Sequence, residues 1–106
     1  MEIYRLSNEF PKHEFYGLAS ELRKTSRSIP YNIAEGYKSW STVEYVRFLR
    51  ISAGSAAELE TQIVLADRLG YFRKDAAERI AGMLSEIVRM LDALIRSLKA
   101  RLKPKL

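Results

Sequence analysis

Residues 75–104, DAAERIAGMLSEIVRMLDALIRSLKARLKP, decide the fold class. Ala76, Ile80, Met83, Leu84, Ile87, Leu91, Leu94, Leu98 and Leu102 recur every three or four residues. That period lays one apolar stripe along an α-helix. Asp75 and Glu78 fall in the first turn and Lys99, Arg101 and Lys103 in the last, so each sign complements the helix dipole. Pro104 ends the pattern, because proline lacks the amide a helix interior needs.

The same period continues upstream. Ser41-Thr42-Val43-Glu44 has the form of a capping box, in which serine accepts from the third helical amide and glutamate reaches back. It opens a helix from Thr42 to about Leu69, with Tyr45, Phe48, Leu49, Ser52, Ala56, Leu59, Ile63 and Ala66 on one face. The middle of this helix, Ser52-Ala53-Gly54-Ser55-Ala56-Ala57, is small on every side. Glycine inside a helix costs about 1 kcal/mol against alanine, so Gly54 is expected at a close helix contact. Gly70 before Tyr71 reads as a glycine stop.

A preceding helix is expected from about Glu14 to Glu35, striped by Leu18, Leu22, Ser26, Ile29 and Ile33. Pro30 lies inside it and is expected to kink it near Ser26 to Ser28, with Gly36 as its stop. A short first helix, Met1 to about Phe10, carries Ile3, Tyr4, Leu6 and Phe10 and is closed by Pro11. No stretch alternates as a strand does. Short turns between long helices make sequential helices antiparallel neighbours. The expected fold is therefore all-α: one domain over 1–106, an antiparallel up-down four-helix bundle with a short first helix.

Composition narrows the function. At 106 residues and 47% hydrophobic, the chain suits one domain with one core. It has no cysteine, which removes disulfides, thiolate metal sites and cysteine nucleophiles. No apolar run approaches the roughly 20 residues that span a bilayer. The start, Met1-Glu2-Ile3-Tyr4-Arg5, is no signal peptide, so a cytoplasmic protein away from membranes is expected. The net charge is +5. It is concentrated near the end, where Arg89, Arg96, Lys99, Arg101, Lys103 and Lys105 face the single acid Asp92. Such a balance suits a polyanionic partner, and it also aids solubility.

Three stretches carry a resemblance. They are Phe10-Pro11-Lys12-His13-Glu14-Phe15-Tyr16-Gly17-Leu18, then Ser28-Ile29-Pro30-Tyr31-Asn32-Ile33-Ala34-Glu35-Gly36, then residues 48–62, FLRISAGSAAELETQ, followed by Leu69-Gly70-Tyr71. Together they resemble the four-helix-bundle family named for the bacterial 23S rRNA intervening-sequence protein. The accessory variability determinant of diversity-generating retroelements is similar in fold. The resemblance implies an antiparallel bundle, a homo-oligomer (a pentameric ring), and no established enzymatic activity or cofactor. It also implies RNA or an RNA–DNA hybrid as possible ligand, and a reverse transcriptase or another protein as possible partner. The first helix is shorter than the family usually shows, by about two turns.

Candidate residues follow. Lysine and arginine neutralise phosphates and release counterions. Arg23, Lys24 and Arg27 lie on the second helix, Lys38 in the following loop, Arg47 and Arg50 on the third helix, and Lys99, Arg101 and Lys103 at the end of the fourth. The competing reading is a solvated face with ordinary ion pairs. Asn32, Glu35, Glu58 and Gln62 are expected as buried polar residues fixing helix register or a subunit contact, with Arg23 or Arg27 pairing an internal carboxylate. Tyr31, Tyr37, Trp40 and Tyr71 are expected around the interhelix turns, where they stack on unpaired bases, cap the end of the core or fill a subunit interface. Phe15 and Tyr16 are expected in the core. His13 is the only histidine, so the Glu-x-x-His pairs of bundle metal sites are absent. Neither a Gly-x-Ser-x-Gly turn nor a glycine-rich phosphate loop occurs, and no enzyme is expected. Two functions compete: an accessory nucleic-acid-binding protein, and an adaptor ring that binds a protein.

Overall fold

The computed structural model describes residues 2–14 and 17–102. Phe15, Tyr16 and Lys103 lie outside the described residues. Four α-helices follow in order: α1 (Glu2–Ser7), α2 (Leu18–Lys38), α3 (Thr42–Arg68) and α4 (Lys74–Leu102), with a single 3-10 turn (Lys12–Glu14) after α1. The described residues contain no strand. No helix among them is long and apolar enough to cross a membrane.

The two longest helices follow their apolar stripes, except that Met83 and Leu102 are exposed and Val46, off the expected stripe, is buried. At the start of α3 the Ser41 hydroxyl accepts from the Glu44 amide at 3.3 Å. The other half of the capping box is replaced, because the Glu44 carboxylate turns to Arg47. At its end the Tyr71 amide bonds the Ala66 carbonyl and the Gly70 amide that of Asp67. Gly70 sits at φ 77°, the left-handed position where glycine carries no Cβ penalty.

The ends of the first two helices depart from expectation. α1 stops at Ser7, and the chain turns through Asn8 and Glu9. The turn drives Phe10 into the core, 5.2 Å from the Tyr71 ring and 5.3 Å from the Phe72 ring. α2 begins at Leu18 rather than Glu14. Glu14 instead precedes the helix and accepts from the Leu18 amide at 3.4 Å. α2 also runs unbroken through Pro30 and past Gly36.

Two glycines depart from the roles expected of them. Gly36 does not stop α2. It is buried, and a Cβ there would stand 2.8 Å from Phe48 Cβ and 2.9 Å from Tyr45 Cδ1. Gly54, expected at a close contact, is exposed with no atom near its Cβ position. The buried small residues of that segment are its neighbours Ser52, Ser55 and Ala56, which face α2.

Contacts between α2 and α3 run in opposite residue order. Thr25 meets Gln62, Ser28 meets Ser55, Ile29 meets Ser52, and Gly36 meets Tyr45 and Phe48. The core has two parts. One gathers Ile3, Leu6 and Phe10 with Leu22 and Ile29 of α2, Leu59 and Ile63 of α3, and Ile80 and Leu84 of α4. The other joins Val46 and Leu49 to Leu91 and Leu98, backed by Ile33. The six residues of α1 extend about 9 Å at 1.5 Å each, so α1 supplies the first part only. Burying each leucine contributes about 1.5–3 kcal/mol.

Replacing each glycine with alanine separates the two roles. Gly36→Ala forces α2 and α3 apart and is expected to cost about 1–3 kcal/mol, net of helix propensity. Gly54→Ala is expected to add about 0.5–1 kcal/mol. Thermal melts of the two variants, moving in opposite directions from the parent, check this assignment.

Candidate functional site

The polar residues of the motifs form a seam between α2 and α3. The Ser28 and Ser55 hydroxyls lie 2.7 Å apart. The Asn32 amide donates to the Ser28 carbonyl at 2.8 Å. Ser52 donates to the Ile29 carbonyl at 2.8 Å, one residue before the proline. Gln62 donates to the Thr25 hydroxyl at 3.1 Å. Asn32 and Gln62 thus occupy the half-buried positions expected of them. Glu35 and Glu58 do not, for both are exposed on this chain. Ser55, Ala56 and Leu59 take the buried positions of that stretch, which leaves Glu58 on the flank with a 3.4 Å contact to Gln62.

Arg23 and Arg27 pair with no internal carboxylate among the described residues. They hold α1. Arg23 donates to Ser7 Oγ at 2.8 Å and to Asn8 Oδ1 at 2.5 Å. Arg27 donates to the Tyr4 hydroxyl, and both guanidinium groups stand over the Tyr4 ring at 5.8 and 5.9 Å. The bond to Tyr4 pushes the Arg27 pKa up, so the group stays charged. No periodicity marks Tyr4 as an acceptor, which is why the pairing was invisible in the sequence. Lys24, on the same helix, is exposed and has no ion-pair partner among the described residues.

The bases divide by location. At the end carrying α1, Arg5 and Arg79 engage Glu2, Arg79 also approaches Asp75, and Arg73 approaches Glu9. At the opposite end α2 finishes, α3 begins and α4 finishes. Here Arg47 engages Glu44 at 2.9 Å. Lys38, Arg50, Lys99 and Arg101 are exposed and unpaired among the described residues. Arg47, Arg50 and Lys99 line a cleft of about 600 Å³ with Val46 and Leu102 at its apolar side. Lys38 and Arg101 line a second cleft of about 530 Å³ with Tyr37, Trp40, Tyr45 and Leu98. Five of the eight candidate bases among the described residues therefore gather at one end, Lys38, Arg47, Arg50, Lys99 and Arg101.

The aromatics do not cluster as expected. Tyr37 and Trp40 share the basic end, whereas Tyr31 lies exposed in the middle of α2. Tyr71 belongs to the opposite end, where it donates to Glu14 at 3.0 Å and lies 3.4 Å from His13 Nε2. Burial first, then the Glu14 carboxylate, push its pKa up. Leu98 was legible as core but not as a cleft wall, since both uses share one helical stripe; Leu102, expected on that stripe, is exposed, and Val46, not expected on the stripe of α3, is buried.

A family model, 23S rRNA-intervening sequence protein, matches residues 1–93. The chain belongs to this family. Comparison with curated proteins finds no match. The family match covers the polar seam, the α1 clamp, and Lys38, Arg47 and Arg50, and it stops short of Lys99 and Arg101. In this member the motif residues Ser28, Asn32 and Gln62 serve the helix contact.

The α1 clamp has a pH signature. Arg79 first, then Arg5, hold the Glu2 carboxyl below its ordinary range. A depressed carboxyl contributes stability above its unfolded pKa of about 4.3 and loses it as pH falls through the folded value. The protection factor of the α1 amides, the intrinsic exchange rate at each pH divided by the observed one, is expected to fall on acidification through this range, while that of α3 holds. In Glu2→Gln the α1 protection factor is expected to stay flat over the same range, which hydrogen-exchange mass spectrometry reads.

Proposed function

We propose that this chain is a non-enzymatic, homo-oligomeric accessory protein that binds structured nucleic acid, RNA or an RNA–DNA hybrid, through the basic end of an antiparallel up-down bundle. The observation that carries the reading is the unequal pairing of its bases. Those beside α1 are neutralised by Glu2, Glu9 and Asp75, whereas Lys38, Arg50, Lys99 and Arg101 face solvent around two adjoining clefts. Unpaired bases on a concave surface suit phosphates: each contact releases condensed counterions and needs no base-specific geometry. Arg47 is held by Glu44, and its guanidinium also lies 4.4 Å from the Phe48 ring, so it lends charge from a fixed position. Arg23 and Arg27 are assigned to α1 and leave the proposed interface. The opposite residue order of the α2–α3 contacts supports the antiparallel topology.

A second reading rests on a different surface. Val64 and Leu65 of α3, Leu69 just after it, and Met83 and Met90 of α4 are large, apolar and exposed. They supply material for contacts between copies or for an adaptor's protein partner. The pentameric ring implied by the family resemblance would use such faces.

Fluorescence anisotropy with an RNA hairpin across a salt series separates the two. Binding is expected to weaken steeply with salt, by about 0.9 in logarithmic slope per phosphate contact. Arg50→Ala with Lys99→Ala is expected to lower that slope by about 1–2. Lys24→Ala, on the far half of α2, leaves it unchanged. Absence of binding at low salt, with the oligomer intact by light scattering, overturns the nucleic-acid reading in favour of the adaptor.

A further inference from the structure

α2 and α3 both end in a left-handed residue, but they fill that position differently. At the end of α3 it is Gly70, at φ 77°. At the end of α2, after the Ser39 amide and hydroxyl have both bonded the Gly36 carbonyl, it is Trp40, at φ 61°. A bulky side chain in this region is disfavoured, because its Cβ crowds the backbone. Burial of the side chain would offset the strain, yet the indole is 99% exposed. Trp40 therefore contributes neither backbone relief nor core packing in this chain. A large apolar face is held in solvent, at a fixed point, against local preference.

Its surroundings indicate what fits there. Trp40 shares its cleft with Tyr37, which is 76% exposed and set edge-on to Tyr45 at 6.1 Å. The charged residues lining the cleft are Lys38 and Arg101, both cations. A planar aromatic face in one cleft with cations that have no ion-pair partner among the described residues complements a ligand with a planar π-face and flanking negative charge. An unpaired nucleotide has both. A base inside a duplex has its faces covered by its neighbours and cannot reach the indole.

We propose that Trp40, with Tyr37 beside it, stacks on an unpaired nucleobase, and that Lys38 and Arg101 take the adjoining phosphates. This inference rests on the nucleic-acid reading above and makes it more specific: the preferred ligand is a single-stranded or looped segment. The clefted bases Arg47, Arg50 and Lys99 supply general backbone attraction, and the tryptophan selects strands with an exposed base.

Trp40 is the only tryptophan in the chain, so its fluorescence reports this one position. The full-length protein is titrated with a single-stranded oligouridylate of about ten nucleotides and with a blunt RNA duplex of equal length. Anisotropy of the labelled strands is followed in parallel. Stacking is expected to quench the indole with the single strand and not with the duplex. Trp40→Gly is expected to melt at a higher temperature than the parent, since it relieves the left-handed strain. The same variant is expected to bind the single strand about tenfold more weakly and the duplex unchanged. Salt-dependent binding of both strands with unaltered indole emission and unaltered Trp40→Gly affinity overturns the stacking role and leaves the broader function standing. Binding of neither strand overturns both. Emission that shifts with protein concentration alone, and not with either strand, overturns stacking in favour of a contact between copies.

Discussion

The close approach of α2 and α3 is the constraint on which the remaining packing depends. Gly36 lets α2 lie against Tyr45 and Phe48 at a separation no Cβ would permit. Lower on the same seam, Ser52 donates into the α2 backbone at Ile29, and Ser28 meets Ser55. These contacts are short because their side chains are small. Once the two helices are locked, the apolar stripe of α4 packs along α3 with Ile80, Leu84, Leu91 and Leu98, and an apolar groove of about 440 Å³ remains between α4 and Ile29, Pro30 and Ile33 of α2. Polar bonds in the seam add register, because sliding by one turn would leave the buried hydroxyls unpaired.

The short α1 then makes the two ends of the molecule unlike. Around α1 the core is four-sided, and its charges are tied into pairs by Glu2 and Glu9. Beyond it the core has only three contributors, and the bases around them have few acids to meet. Chemistry and packing divide along the same line: one end closes the structure, the other presents charge and aromatic surface.

Much of this was legible in the residues. The stripes of α3 and α4 fixed their type and approximate ends, because a period sustained over some eight turns has no alternative reading. Their buried faces followed except at Met83 and Leu102, which the fold leaves exposed, and Val46, which it buries. Gly70 was read correctly because a polar-to-apolar boundary surrounds it. Gly36 and Gly54 were both misread. A glycine is consistent with a helix stop, a close approach or an open surface, and only the neighbouring helix decides among them. Glu58 looked internal because it follows the small-residue segment Ser52 to Ala57, yet helical rotation carries it to the flank. Arg23 and Arg27 looked like phosphate ligands because their acceptors, Tyr4, Ser7 and Asn8, are neutral and distant in sequence. The gathering of Lys38, Arg50, Lys99 and Arg101 needed the fold, since they come from three helices. The conformation of Trp40 left no trace in its neighbours' identities.

One consequence of the α1 clamp concerns the order of assembly. Its bond from Arg79 to Glu2 joins residues 77 apart in the chain, whereas its bonds from Arg23 and Arg27 to Ser7, Asn8 and Tyr4 span 15 to 23. Loop closure over the longer span is entropically unfavourable until the intervening chain is compact. α1 can therefore dock on α2 as soon as that helix forms, and only its tie to α4 waits for the rest of the bundle.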